Sequence, residues 1–256
     1  MSEHVRIEKP ERGIVSIVLD RPDRKNAITS AMYARMREAV QAADADREAR
    51  VLMLSGGGGN FTSGNDIADF QKPLMQFPSP GILFLQAISV FRKPVVAAIE
   101  GHAVGIGTTM LLHCDMVYAA ETARFKLPFV NLGLCPEGAS SYLLPKAAGY
   151  RLAAQLLMLG DEFDAATALR AGIATEVAPT GQALAAALQC ARTLAAKPPG
   201  AMQTTKRLLR RGDAQAVAET LLVEADEFGQ RRTSEEAREA FAAFFEKRAA
   251  DFSRFD

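Results

Sequence analysis

The chain of 256 residues has no net charge, since 30 lysines and arginines balance 30 aspartates and glutamates. No whole-protein field favours nucleic acid or an anionic membrane surface, and an anionic ligand has to be held by a local patch. Cysteine is scarce and odd in number: Cys114, Cys135 and Cys190 show neither CxxC spacing nor a Cys/His pattern. That argues against a disulfide framework or a structural metal site and fits the reducing cytoplasm. No apolar run approaches the roughly 18 residues of a membrane span. The charged opening MSEHVRIEKPERG is unlike a signal peptide, and SRFD is not a peroxisomal tail. A cytoplasmic protein with no membrane partner is expected.

Also missing are a linker, a low-complexity segment and an internal repeat, so the chain reads as one unit long enough to bury a substantial core. What is present is strand and helix in alternation, then helix alone. IVSIVLD (14–20), RVLMLSG (50–56) and PVVAAIEG (94–101) are short apolar runs, and near-continuous apolar strands predict parallel pairing with both faces covered. RPDRKNAITS supplies turn chemistry ending in Thr29 or Ser30, either of which can cap a helix running to about Ala45. From about Gly138 the pattern is helical, over roughly 149–159, 164–171, 181–196, 199–211, 213–229 and 233–249. QKPLMQFPSPG (71–81) reads as a surface loop of the kind that lines or covers sites.

Three stretches carry candidate chemistry. GGGGNFTSGNDI (56–67) lacks both the GK[ST] ending of a phosphate loop and the spaced acid of a dinucleotide site. It is either a flexible turn or one in which Ser63, Gly64, Asn65 and Asp66 direct consecutive N–H groups into a cavity. EGHAVGIGTTMLLHCD (100–115) enters an apolar helix after Gly105 and Gly107, where the missing Cβ serves close packing or the approach of a ligand to unpaired N–H groups. His102 and His113 are candidate bases or packed histidines, and Cys114 and Asp115 close the helix into the next strand. NLGLCPEGASS (131–141) places Glu137 just after a proline. There it is either a first-turn partner of the helix dipole or a base whose pKa is raised by the apolar Leu132, Leu134 and Pro136.

Taken in order, with LDRPDRKNAIT before them and FFEKRAADF after them, these stretches resemble the crotonase (enoyl-CoA hydratase/isomerase) superfamily over nearly the whole chain. The resemblance implies an α/β fold, a crotonase-type spiral of ββα units over 1–196, with a helical C-terminal trimerisation region over 197–256 in the same functional unit. The implied partners are an acyl-CoA thioester substrate and further copies of the chain, as a homotrimer or dimer of trimers. It also implies that the backbone N–H groups of Ser63 and Ile106 polarise the thioester carbonyl, with Gly64, Asn65, Asp66, Ile67 and Gly105 lining the substrate. Arg24, Lys25 and Ala27 would lie along pantetheine and nucleotide, and Lys247 near the phosphates, in this or a neighbouring subunit. The loop 71–81 and the helix after it would contact the acyl tail.

Hydratases of this family hold water between two glutamates, and the matching positions here are Thr109 and Phe129, neither of which can take a proton from water. PFVNLGLCPEGASSYLLPKAAG (128–149) and FTSGND are instead similar to the Δ3,Δ2-enoyl-CoA isomerases, especially the peroxisomal type, whose single base is the glutamate of the PEG segment. Glu137 is then the expected catalytic residue, with no metal and no cofactor beyond the coenzyme A of the substrate. The alternatives are another oxyanion-hole reaction on an acyl-CoA, such as isomerisation of a ring-derived substrate, dehalogenation or thioester hydrolysis, or a non-catalytic acyl-CoA-binding module.

Overall fold

Aliphatic and β-branched runs form strands at the expected places. The computed structural model describes residues 4–70 and 78–255, so the 71–77 part of the expected loop lies outside the described residues. In chain order the strands are β1 (Val5–Glu11), β2 (Ile14–Leu19), β3 (Val51–Gly56), β4 (Val95–Ile99), β5 (His102–Val104), β6 (Met116–Ala120), β7 (Arg124–Lys126), β8 (Glu162–Asp164) and β9 (Glu176–Ala178). One sheet has the order β1-β2-β3-β4-β6-β9, parallel except for the β1/β2 hairpin, and a smaller one has the order β5-β7-β8.

The helices are α1 (Ser30–Ala45), α2 (Ile67–Phe70), α3 (Pro80–Ser89), α4 (Ile106–Thr109), α5 (Ser140–Ala148), α6 (Tyr150–Ala154), α7 (Ala165–Arg170), α8 (Ala183–Ala195), α9 (Pro199–Arg210), α10 (Ala214–Arg232) and α11 (Glu235–Glu246). Thr29 is the cap of α1, its hydroxyl accepting the Met32 N–H at 3.3 Å. The helix expected over 149–159 is α-helical only as far as α6 and continues as a π-helical turn over Gln155–Leu159.

Alternate residues of the parallel strands face opposite layers, which is why those strands are apolar throughout. Ile14, Val51, Met53, Val96 and Ala98 pack against Ala187 and Ala191 of α8. Val15, Ile17, Leu52, Leu54, Val95 and Ala97 belong to the main core with α1 and α3. The C-terminal helices return to that same core through Leu221, Ala225, Ala237 and Phe241, with α10 lying against α3 and α5. Among the described residues no helix is long and apolar enough to cross a membrane.

Candidate active site

The chain segments that leave the C-terminal ends of β3 and β4 run side by side. Thr62 bridges Ala103 in parallel, and the Val104 N–H donates to Thr62 O at 3.1 Å. Three residues further along each segment stand Asn65 and Ile106. Gly64 permits the approach: its φ is +91°, and a Cβ there would sit 2.8 Å from the Val104 carbonyl oxygen. Gly105, with φ +56°, has nothing within 4 Å of where a Cβ would point, so the main chain is open on that side.

Of the four N–H groups from 63 to 66, three are engaged. Ser63 donates to Lys25 O at 2.9 Å, Gly64 to Thr62 Oγ1 at 3.0 Å and Asp66 to Ile28 O at 3.0 Å. This corrects two expectations: the turn does not direct consecutive N–H groups into one cavity, and the donor assigned to Ser63 is already bound. Among the described residues the Asn65 N–H meets no acceptor, and neither does that of Ile106, which opens α4, where helix geometry supplies none. The free pair is therefore Asn65 and Ile106. Buried Tyr33 fixes the first of these by donating from its hydroxyl to Asn65 Oδ1 at 2.6 Å.

Glu137 is 4% exposed. Burial pushes its carboxyl from the usual 4.5 up to about 8; the hydroxyl of Thr109, donating to Oε1 at 2.5 Å, opposes the shift, and the charge of Glu224 adds to it. Glu137 does not cap α5. That task falls to Glu224 of α10, whose carboxylate accepts the Ala139 N–H at 2.5 Å and the Ser141 N–H at 2.9 Å. The peptide after Glu137 is held from another side, where His113 donates from Nε2 to Gly138 O at 2.8 Å. Burial lowers the His113 pKa to about 4, so the ring is neutral. His102 faces Asn60, with Nδ1 2.9 Å from Oδ1. Both histidines thus have structural partners. Phe129 is buried edge-on to Phe228 at 6.4 Å between centroids.

The segment 24–27 lies beside the Ser63 turn: Ser63 Oγ donates to Arg24 O at 3.2 Å, Lys25 is left-handed with φ 47°, and the Arg24 and Lys25 side chains are exposed. Asp66 is ion-paired with Arg21 at 2.6 Å, and Arg21 also donates to Ala27 O. Ile67 begins α2. Lys247 is exposed at the left-handed end of α11, and no hydrogen bond or ion pair among the described residues joins it to the 24–27 segment. The glycine run has a packing role, since a Cβ on Gly56 would fall 2.0 Å from Asn60 O. Fully buried Asn26 ties the loop down by donating to Gly57 O and Asn60 O at 2.9 and 2.7 Å. Sequence reading passed over Asn26, Tyr33 and Glu224. The available signal for Glu224 is its place on the stripe Leu221, Glu224, Ala225, Phe228, where an acid interrupts an apolar helix face.

The sequence model of the enoyl-CoA hydratase/isomerase family matches residues 9–254. The chain is 32% identical over 244 residues to 2,3-dehydroadipyl-CoA hydratase of Escherichia coli, covering 94% of this chain and 96% of that one. It is 34% identical to rat enoyl-CoA delta isomerase 2 over 91% of its own length, and spans 61% of that longer protein. Among solved structures, OdaA of Pseudomonas aeruginosa superposes with a TM-score of 0.91 at 45% identity, covering 95% of this chain and 99% of that one. With the family model matched over residues 9–254 of an α/β fold in which buried Glu137 is bonded to Thr109, at the end of the helix that Ile106 opens, the chain belongs to the enoyl-CoA hydratase/isomerase family.

Proposed function

We propose that the protein is a Δ3,Δ2-enoyl-CoA isomerase, converting a 3-enoyl-CoA to the trans-2-enoyl-CoA. The observation that carries this reading is a single base-like carboxylate, Glu137, buried and raised to about 8, bonded to a threonine where hydratases of the family place an acid. The other acid nearby, Glu224, is engaged by two backbone N–H groups.

Glu137 removes a proton from C2 of the substrate. The C–H electron pair delocalises onto the thioester oxygen and the alkene, and the N–H groups of Asn65 and Ile106 stabilise the developing oxyanion. The same carboxyl returns the proton at C4, the double bond moves to C2–C3, and no electrons are gained or lost. A pKa near neutrality suits a group that must both take and return a proton. Burial keeps water from quenching the dienolate. In this reading Arg24 and Lys25, exposed beside the Ser63 turn, meet the phosphates of coenzyme A. Exposed Leu209, Val223 and Phe244 on the C-terminal helices support self-association, which the family resemblance implies as a homotrimer or dimer of trimers.

A relative from Escherichia coli at 30% identity is named 1,2-epoxyphenylacetyl-CoA isomerase and aligns over 95% of this chain, which favours isomerisation of a ring-derived acyl-CoA as the second reading. Purified protein is offered a 3-enoyl-CoA, a 2-enoyl-CoA and an epoxidised aryl-CoA in parallel, with conjugation and hydration followed by absorbance. Conjugation of the 3-enoyl-CoA without hydration of the 2-enoyl-CoA is expected. Robust hydration, or turnover of the ring substrate alone, would overturn the proposal.

A further inference from the structure

The turn that carries Glu137 is strained and lacks a cap of its own. Gly138 and Ala139 are both left-handed, with φ 72° and 56°, and alanine takes that conformation only at a steric cost. Ala139 stands at the N-cap of α5 but has no side chain able to accept an N–H. Both acceptors for the turn come from 83 and 85 residues away, on one carboxylate. Glu224 is 6% exposed on the stripe that α10 turns to the core, where an acid is costly unless its oxygens are satisfied. Here they are satisfied by the main chain two and four residues after Glu137.

We propose that Glu224 is a positioning residue for the base: reaching across from α10, it locks the turn 137–141 so that the Glu137 carboxyl faces the substrate, and it keeps a negative charge beside that carboxyl. This rests on Glu137 being the base. The ionisable groups facing Glu137 are Glu224 and Tyr33, and burial holds the Tyr33 phenol well above 10 and neutral. Those facing Glu224 are Glu137 and Cys135 from the turn, while Glu227 and Arg231 of α10 act on Cys135; burial raises Glu224 itself, and the N–H groups of Ser141 and Ala139 oppose that shift and favour its charged form. Cys135 is pushed up to about 11 by burial and is neutral, and Arg231 is paired with Glu236. The packed face of α3, PGILFLQAIS, carries no ionisable side chain. Glu224 is thus the charged neighbour whose loss Glu137 senses most.

Glu224→Gln keeps the length and one acceptor but removes the charge. Turnover of 3-enoyl-CoA falls by about tenfold or more, because a small misplacement of a catalytic group is enough for that, while KM changes by less than about threefold. The acid limb of the rate profile moves down by about half a pH unit or more. Glu227→Gln, an exposed change on the same helix, moves neither. Independently of activity, 13C NMR of glutamate-labelled protein, with Glu137 assigned by its disappearance in Glu137→Gln, shows a lower Glu137 midpoint in Glu224→Gln. An unmoved Glu137 midpoint overturns the proposal, as does a lowered melting temperature with rate and pH profile unchanged. A lowered midpoint in a protein whose wild type ignores 3-enoyl-CoA retains the coupling and sinks the functional reading. Should Glu224→Gln fail to fold, Glu137→Gln serves instead: the Glu224 resonance there titrates lower than in wild type, and an unmoved midpoint overturns the proposal.

Discussion

Glu137, in the turn that follows the strand-rich half, and Glu224, in the helical half, are buried acids with opposite surroundings. Glu224 accepts two backbone N–H groups. Glu137 accepts one hydroxyl, and no ion pair among the described residues includes it. Burial raises both carboxyls, but at Glu224 two backbone N–H groups oppose the shift and hold the turn together, whereas at Glu137 one hydroxyl opposes it and the carboxyl is pushed up to about 8. The helical half supplies the cap, and that leaves the acid of the PEG segment free for chemistry. The division of labour can be broken one residue at a time.

The largest effect falls on Glu137→Gln. Turnover drops by about 10²–10⁴-fold while acyl-CoA affinity changes little, measured by steady-state rates and ligand titration. Stability moves the other way. The folded-state pKa of about 8 lies above the ordinary 4.5, so the native protein binds this proton more tightly than the unfolded chain. Its stability contribution is present at low pH and is lost as pH rises from about 4.5 through about 8. Glutamine carries no such penalty, so the variant melts at a higher temperature than wild type at pH 9, and the gap closes towards pH 4. A helix-dipole role for Glu137 predicts a lower melting temperature at pH 9 instead.

Next in size is the donor pair. Ile106 is the first residue of α4, where proline is tolerated because the N–H has no helical acceptor. Ile106→Pro deletes that donor and lowers turnover by about 10²–10³-fold, with far-ultraviolet circular dichroism little changed. Ser63→Ala leaves the main chain in place and retains most of the activity. A collapse of turnover in Ser63→Ala at unchanged circular dichroism would instead implicate the Ser63 hydroxyl, which donates to Arg24 O.

The fold was largely legible in the sequence because each parallel strand lies between two covered layers and so spells an apolar run, and because Thr29 and the alanine-rich helices follow local rules. Glu137 was legible through its motif, though its role was not: dipole and desolvation act in opposite directions, and only the position of Glu224, 87 residues on, removes the first. The donor at Asn65 was missed for a similar reason. Ser63 and Asn65 are equivalent in a flexible turn until Lys25, folding back with φ 47°, takes the Ser63 N–H. Partners distant in sequence decided both cases, and local pattern does not register them.

The smallest effect separates the two influences on Glu137 by sign. The Thr109 hydroxyl stabilises the carboxylate and lowers its pKa, whereas the Glu224 charge raises it. Thr109 is fully buried, and valine matches its shape without the donor. Thr109→Val therefore moves the acid limb of kcat/KM upward, by about one pH unit for one hydroxyl bonded to a carboxylate. With the wild-type midpoint near 8, the rate at pH 7 falls by up to about tenfold, and the two enzymes converge near pH 10 because the base is then ionised in both. Thr109→Ser restores the donor and returns the limb towards wild type. Glu224→Gln moves the same limb downward, so the two variants bracket the wild-type profile. If both shift it in one direction, the hydroxyl and the cap do not act on Glu137 as opposites, and the contrast between the two acids fails at its most sensitive point.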